Sequence, residues 1–438
     1  MKKRILTLVA ALSAAALLAA CGDKPPAVTT TDTSAGDTSV TDADTLGIPE
    51  TADYGGEAFN ILSAGNVAYA DFTADENAST PLDSAQYRRK ALVEQNYGVK
   101  IAETVEKAYS SGGGPGYKRL STDANAGDCN FDLALVAGYD VTVLAYSDYL
   151  YDLASIPGID LSKSWWDKRA NENLAVRGVM FFTTGEITVS DNDVAFVILF
   201  NKELRKAYDL NDPYSLVYDG EWTLDTFGAL CKTVTEDLDQ NGIMDANDRF
   251  GVLVWDDSVV GIVNAAGQRC CTIAEDGTIG LTLYNETTLA ALDKYFSIIY
   301  DTQYALTYQR EKVDPLEMWQ ADKGLFWMNT MTRIPQLRGM ESDFGILPYP
   351  KLNAEQQDYY TTVAPYNSQF VCVPLIQKDI ERTGIITEAL AYYGEKIVTP
   401  AYYDVNLVGQ STRDEESADM LEIIFDNLVF DIGYYYQV

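Results

Sequence analysis

Along the chain, short apolar runs alternate with stretches whose apolar residues recur at helical spacing. Phe59–Leu62 reads as a strand, and Ser84–Tyr97 reads as a helix with Tyr87, Ala91 and Leu92 on one side and Arg88, Arg89 and Lys90 turned outward. Val99–Ile101 returns to strand, so the body opens as a βαβ unit near Tyr54. Phe131–Val136 and Val194–Phe200 are nearly unbroken apolar runs, as expected of strands covered on both faces by helices. Thr223 can cap a helix whose Phe227, Leu230, Cys231 and Val234 fall on one face, which places Cys231 in the core, and Phe250–Trp255 follows as a strand. Further on, Leu292, Tyr295, Phe296 and Ile299 mark another helix, and Leu325–Met328 and Phe344–Leu347 are short strands. Thr412 and Glu415 form a capping box ahead of Met420, Leu421, Ile424, Phe425 and Leu428. Alternation of this kind predicts α/β layers.

Charge and composition narrow the chemistry. The 438 residues carry 65 acidic against 32 basic side chains, a net charge of −33, with no basic cluster to meet a nucleic-acid backbone. Histidine is absent, which removes the imidazole on which many serine, cysteine and zinc mechanisms rely and leaves carboxylates as the main acids and bases. A binder is favoured over a catalyst. The Ser111–Gly116 turn (SGGGPG) is followed by neither Gly-Lys-Ser nor Gly-Lys-Thr and does not read as a phosphate loop.

At the amino terminus, Lys2, Lys3 and Arg4 precede an apolar stretch to Ala20, the order of an export signal over residues 1–20. The run Leu18-Ala19-Ala20-Cys21 resembles the lipobox of bacterial lipoproteins, which implies lipidation (palmitate among the acyl groups) at Cys21 and an anchor on the extracellular face of the cell membrane. Residues 21–53 then read as an acidic tether with little to bury. The remaining cysteines, Cys129, Cys231, Cys270, Cys271 and Cys372, are odd in number and include adjacent neighbours. They indicate no disulfide framework, although a bridge from Cys129 to a distant partner stays open.

The segment after the Thr223 helix has the spacing of a calcium loop. With Asp237 as position 1, side-chain oxygens fall at 3 (Asp239), 5 (Asn241), 9 (Asp245) and 12 (Asp248), a backbone carbonyl at 7 (Ile243) and glycine at 6 (Gly242). The pattern predicts a structural Ca2+ site in which Asp replaces the usual final Glu. The strand that follows leaves little room for the second helix of a sensor.

Several stretches together resemble the extracellular solute-binding lipoproteins of ABC importers, family 1-like and of the sugar-binding group. They are DLASIPGID at 152–160, SWWD at 164–167, FFTTGEI at 181–187, FNKE at 200–203, DGEWT at 219–223, the calcium-like loop, FGILPYP at 344–350 and DEESADML at 414–421. The resemblance implies a two-lobed, periplasmic-binding-protein-like (type II) fold with discontinuous lobes joined by crossover strands. Lobe one is expected over 54–190 plus 320–343, and lobe two over 191–319 plus 344–438. It also implies a monomer without enzymatic activity that captures an oligosaccharide between the lobes for carbohydrate transport and presents it to membrane permease subunits. A peptide or other small polar solute, a capture lipoprotein without a transporter, and a glycoside hydrolase stay open at this point.

Sugar recognition needs aromatic platforms beside polar groups, and the chain has 29 Tyr and 6 Trp. In open α/β sheets the binding face lies beyond the carboxyl ends of strands. That rule selects Tyr139 and Asp140; Trp255, Asp256 and Asp257; Thr332 and Arg333; and Tyr366 and Asn367. Trp165 and Trp166 read as core. Arg333 is the best polar candidate, because its planar fork can hold two hydroxyls.

Overall fold

A computed structural model describes residues 45–75, 80–300, 303–403 and 414–437. The export signal, Cys21, the tether up to residue 44 and Thr412 lie outside the described residues. Among the described residues no helix is long and apolar enough to cross a membrane.

Two mixed sheets organise the body. The first has the order β12-β3-β1-β2, from β1 (Glu57–Gly65), β2 (Val99–Lys107), β3 (Leu133–Ala137) and β12 (Gln369–Cys372). β1 runs parallel to both β2 and β3, so the βαβ opening forms as expected, while β12 is antiparallel to β3. The second sheet has the order β10-β4-β9-β5-β8, from β4 (Phe196–Asn201), β5 (Phe250–Val254), β8 (Ala305–Thr307), β9 (Gly324–Thr330) and β10 (Phe344–Leu347). Its central strands β4, β5 and β9 are buried at every position, as their unbroken apolar sequences require.

The chain passes between the sheets through three adjacent extended segments. Ala195 bridges Val363 in antiparallel fashion, and the Ala364 N–H donates to Val194 O at 3.1 Å. β11 (Thr361–Thr362) pairs in parallel with β13 (Leu428–Val429). These contacts correct the expected lobe boundaries. The strand of segment 320–343 pairs with β4 and β5 in the second sheet, not the first. β12, expected in lobe two, pairs with β3 of the first sheet. The helix Ile380–Tyr393 goes with it, because Arg382 reaches Asp132 at 2.7 Å and Glu57 at 2.8 Å, beside the strands of that sheet. The apolar runs mark strands, but their partners follow from the return crossing at 361–369, which local pattern does not reveal.

Two further expectations change. The helix Pro81–Tyr97 buries Arg89 completely, where an outward side chain was expected. Its guanidinium donates to Ile187 O and Asp71 O, each at 2.6 Å, and lies over the Phe72 ring at 4.9 Å, which compensates its desolvation. The folded body also begins before Tyr54, since Ile48 is 8% exposed and the Tyr97 hydroxyl donates to Pro49 O at 2.9 Å. The helix Glu415–Phe425 is capped by Asp414, whose carboxylate accepts from the Ser417 N–H.

Trp165 and Trp166 lie in the core as expected, and both indoles donate to one buried carboxylate, Glu388, at 3.0 and 2.9 Å. Burial pushes Glu388 up to about 7 despite these donors. Asp193, which accepts from the Tyr402 hydroxyl at 2.8 Å, is pushed up to about 6, again by burial first. Among the described residues, Cys129, Cys231, Cys271 and Cys372 are free thiols, so Cys129 makes no bridge.

Both carboxyls bind protons more readily folded than unfolded, so their stabilising contribution is complete below about pH 4 and is lost as pH rises through about 6 to 7. The thermal midpoint is therefore expected to fall between pH 5 and 7.5, and Glu388→Gln to flatten that fall. A midpoint independent of pH in the parent protein contradicts this assignment.

Candidate functional site

The carboxyl ends of the parallel strands carry the candidate residues. In the first sheet, Asn66 follows β1, Tyr109 lies just beyond β2, and Tyr139 follows β3. Asn66 joins these ends: its amide donates to Ser110 O at 3.1 Å and to Tyr366 O at 2.7 Å, while its carbonyl accepts from the Ser110 N–H at 3.0 Å. The Tyr366 ring, on the crossing segment, stands 6.1 Å from the Tyr109 ring at a tilt of 54°. Tyr109 is 73% exposed, an unusual setting for so large an aromatic surface.

From the second sheet, β5 ends in Trp255, Asp256 and Asp257. The Trp255 ring packs 5.0 Å from Phe196, and the Asp256 N–H donates to the Gln309 side-chain oxygen at 3.1 Å. Asp257 is near enough to act on residues of the opposite sheet. Tyr139 is pushed up to about 12, chiefly by burial and then by the charge of Asp257, with smaller contributions from Tyr109 and Tyr366. Tyr366 is raised by burial, then by Tyr109 and Asp257. Asp257 itself is raised by burial and by neighbouring Asp256. Tyr109 and Tyr366, remote in sequence, thus stand ring to ring, and the charge of Asp257 acts on Tyr139 and Tyr366.

The other predicted residues divide. Asp140 is fully buried, and one of its oxygens accepts from the Gly112 and Gly114 N–H groups at 3.0 and 2.9 Å. It organises the glycine turn that precedes the helix Pro115–Ala126 and is not presented to a solute. Thr332 is half-buried and shares a 2.6 Å hydrogen bond with Thr330. Arg333 is exposed beyond β9, and its charge reaches Tyr308, which follows β8. Asn367 is half-buried in the crossing turn, where its N–H donates to Ala364 O at 3.2 Å. Asn66, Tyr109 and Tyr308 were missed, although each follows a predicted or actual strand end and the same rule could have selected them.

The calcium-like loop has the internal bonding its spacing predicts. Asp237 accepts from the Gly242 N–H at 2.8 Å, with Gly242 at φ +82°, where a side chain would be strained. Asn241 accepts from Ile243 at 2.7 Å, Asp245 from Asn247 at 2.8 Å, and Asp239 from Asn241 at 3.1 Å. Asp248 is fully buried and accepts from Leu238 and Asp245 at 2.8 and 2.9 Å; the Asp245 N–H is the main reason its carboxyl is held low. Oxygens of Asp237, Asp239 and Asp248 all lie within 4.8 Å of one another, and the second Asp237 oxygen is buried without a hydrogen-bond partner. This all-oxygen set fits a hard cation.

A cavity of about 730 Å3 lies elsewhere and is lined by none of the predicted solute residues. That cavity is lined by segments 161–192 and 425–428 with Tyr403.

No protein-family model matches the sequence, and no curated protein does. Solved structures do match in fold. A substrate-binding protein of an ABC transporter from Listeria monocytogenes, in complex with cycloalternan, is 12% identical, with a TM-score of 0.55 and coverage of 87% of this chain and 90% of that one. A cyclo/maltodextrin-binding protein complexed with maltotetraose is 11% identical with a TM-score of 0.57, covering 86% of each chain. The GacH receptor of Streptomyces glaucescens, solved unliganded and with acarbose, is 13% identical with a TM-score of 0.52, covering 85% and 87%. The chain has the two-lobed α/β fold of these proteins.

Proposed function

We propose that the protein is the extracellular solute-binding component of an ABC importer and captures an oligosaccharide between its two lobes. The observation that carries this reading is the convergence of Tyr109, Tyr139 and Tyr366 opposite Asp257 at the carboxyl ends of two sheets. Aromatic faces cover the C–H faces of sugar rings, while Asp257, Asp256 and Arg333 supply hydrogen bonds to hydroxyls. The fold supports the reading, since the proteins it resembles were solved with cycloalternan, maltotetraose and acarbose. Capture requires no chemical step. Solute that contacts both lobes favours their closed arrangement, which the permease distinguishes from the open one.

The reading includes a lipid anchor at Cys21 on the outer face of the cell membrane, supported by the leader and the lipobox-like run. Asp237, Asp239, Asn241, Asp245 and Asp248, with the Ile243 carbonyl, would hold Ca2+ as a structural ion. Bound there, calcium would neutralise the clustered carboxylates and pin the turn between the helix Leu224–Val234 and β5.

Thermal unfolding of the full chain against a panel of malto-oligosaccharides, cyclic glucans and peptides tests the solute assignment. A cognate oligosaccharide raises the midpoint by several degrees and is recovered intact, and Tyr139→Ala weakens binding by about tenfold. Recovery of a cleaved product would show a hydrolase instead, and a rise with peptides alone would reassign the solute. Chelation lowers the midpoint of the parent protein but not of Asp237→Asn; equal effects on both would remove calcium from the loop. Cys21→Ala moves the protein from the membrane fraction to the medium, and an unchanged distribution would exclude the anchor.

A further inference from the structure

Cys270 and Cys271 belong neither to the capture site nor to the calcium-like loop, and the fold sets them in an uncommon relation. Cys270 precedes and Cys271 opens the short strand Cys271–Ile273, which pairs antiparallel with Ile279–Leu281. Successive residues of a regular strand point to opposite faces. Here both side chains turn the same way: the Sγ atoms of Cys271 and Cys270 lie 2.9 and 3.0 Å from the position a β-carbon would take on Gly433. One buried carboxylate clamps the backbone that allows this. Asp431, 2% exposed, accepts from the Cys270 N–H at 2.5 Å, the Cys271 N–H at 3.2 Å and the Gly433 N–H at 3.1 Å. Any side chain at position 433 would strike both sulfurs, so glycine completes the arrangement.

The two sulfurs are also in mutual contact, the Cys270 thiol donating to Cys271. Burial raises both thiols, Cys270 to about 12, and the donated hydrogen bond offsets part of the rise at Cys271. Cys271 is therefore the more readily deprotonated of the two. It is also the one that reaches a cavity, of about 120 Å3, which it lines with Arg269, Glu172 and Phe430. A space of that size suits an oxidant as small as hydrogen peroxide. We propose that Cys270 and Cys271 form a reversible oxidation site that closes to a disulfide between neighbouring residues when hydrogen peroxide enters. The Cys271 thiolate attacks one peroxide oxygen and breaks the O–O bond; the departing hydroxide takes a proton to become water, and Cys271 becomes a sulfenic acid. The Cys270 sulfur then attacks the Cys271 sulfur, forming the S–S bond and releasing the sulfenic oxygen as a second water. The two thiols together give up two electrons and two protons, and the peroxide is reduced to water. Consecutive Cα atoms are about 3.8 Å apart, short of the usual disulfide span, so a thiol reductant reopens the ring readily. The inference does not depend on the oligosaccharide reading.

Treatment of the folded full chain with hydrogen peroxide, followed by alkylation in urea and tryptic mass mapping, tests it. Cleavage after Arg269 and Lys294 yields a peptide, 270–294, that holds these two cysteines and no others. The peptide is expected to lose two hydrogens, to resist alkylation, and to regain two alkylatable thiols after dithiothreitol. Cys270→Ser removes the second sulfur, so its peptide should gain oxygen instead of losing hydrogen. The proposal is overturned if the parent peptide keeps two alkylatable thiols while half-buried Cys129 is oxidised, if it gains oxygen as the variant does, or if it loses hydrogen only when peroxide is added to the unfolded protein.

Discussion

The narrow backbone ladder between the two sheets is the constraint on which the rest depends. Val194 and Ala195 pair with Val363 and Ala364, and β11 pairs with β13, so three separated lengths of chain cross at one place. These links fix which strand ends oppose each other, while the apolar residues of both sheets join in one buried cluster. Each sheet then completes itself with a returning segment: β12 closes the first, and β9 and β10 complete the second.

Buried polar groups hold the first half of the molecule in register. Arg89 ties the helix Pro81–Tyr97 to the Asp71 and Ile187 backbone, and Glu388 receives both neighbouring indoles. Each joins segments far apart in sequence, and each leaves a buried charge or donor unsatisfied if its partner is removed. Glu388 also makes stability depend on pH in the direction opposite to a salt-bridged carboxylate, because folding favours its protonated form.

The two acidic regions show how dispersion decides chemistry. In the Asp237–Asp248 loop, backbone N–H groups gather the carboxylates until three of them converge, as one small hard cation requires. Around Asp191, the acidic groups share a cavity lining with Lys163, Lys168 and Arg169, so the charges there do not gather for one cation. The strand-end site differs from both, with tyrosine faces dominating and acids at its margin.

Local signals in the sequence determined much of the molecule. Unbroken apolar runs declared β3, β4 and β5, Thr223 announced the start of its helix, and the spacing from Asp237 to Asp248 specified the loop that formed. These features are legible because strand burial, helix capping and loop geometry each depend on residues within about a dozen positions. The fate of Arg89, the true role of Asp140 and the assignment of β9 and β12 to their sheets were decided only by tertiary structure. In each case the deciding partner is remote or depends on which way the chain returns: Asp71 and Ile187 for Arg89, the Gly112 and Gly114 amides for Asp140, and the 361–369 crossing for the strands. Tyr109, Tyr139, Tyr366 and Asp257 were likewise brought together by the crossing ladder, because no local pattern encodes which strand ends will face each other.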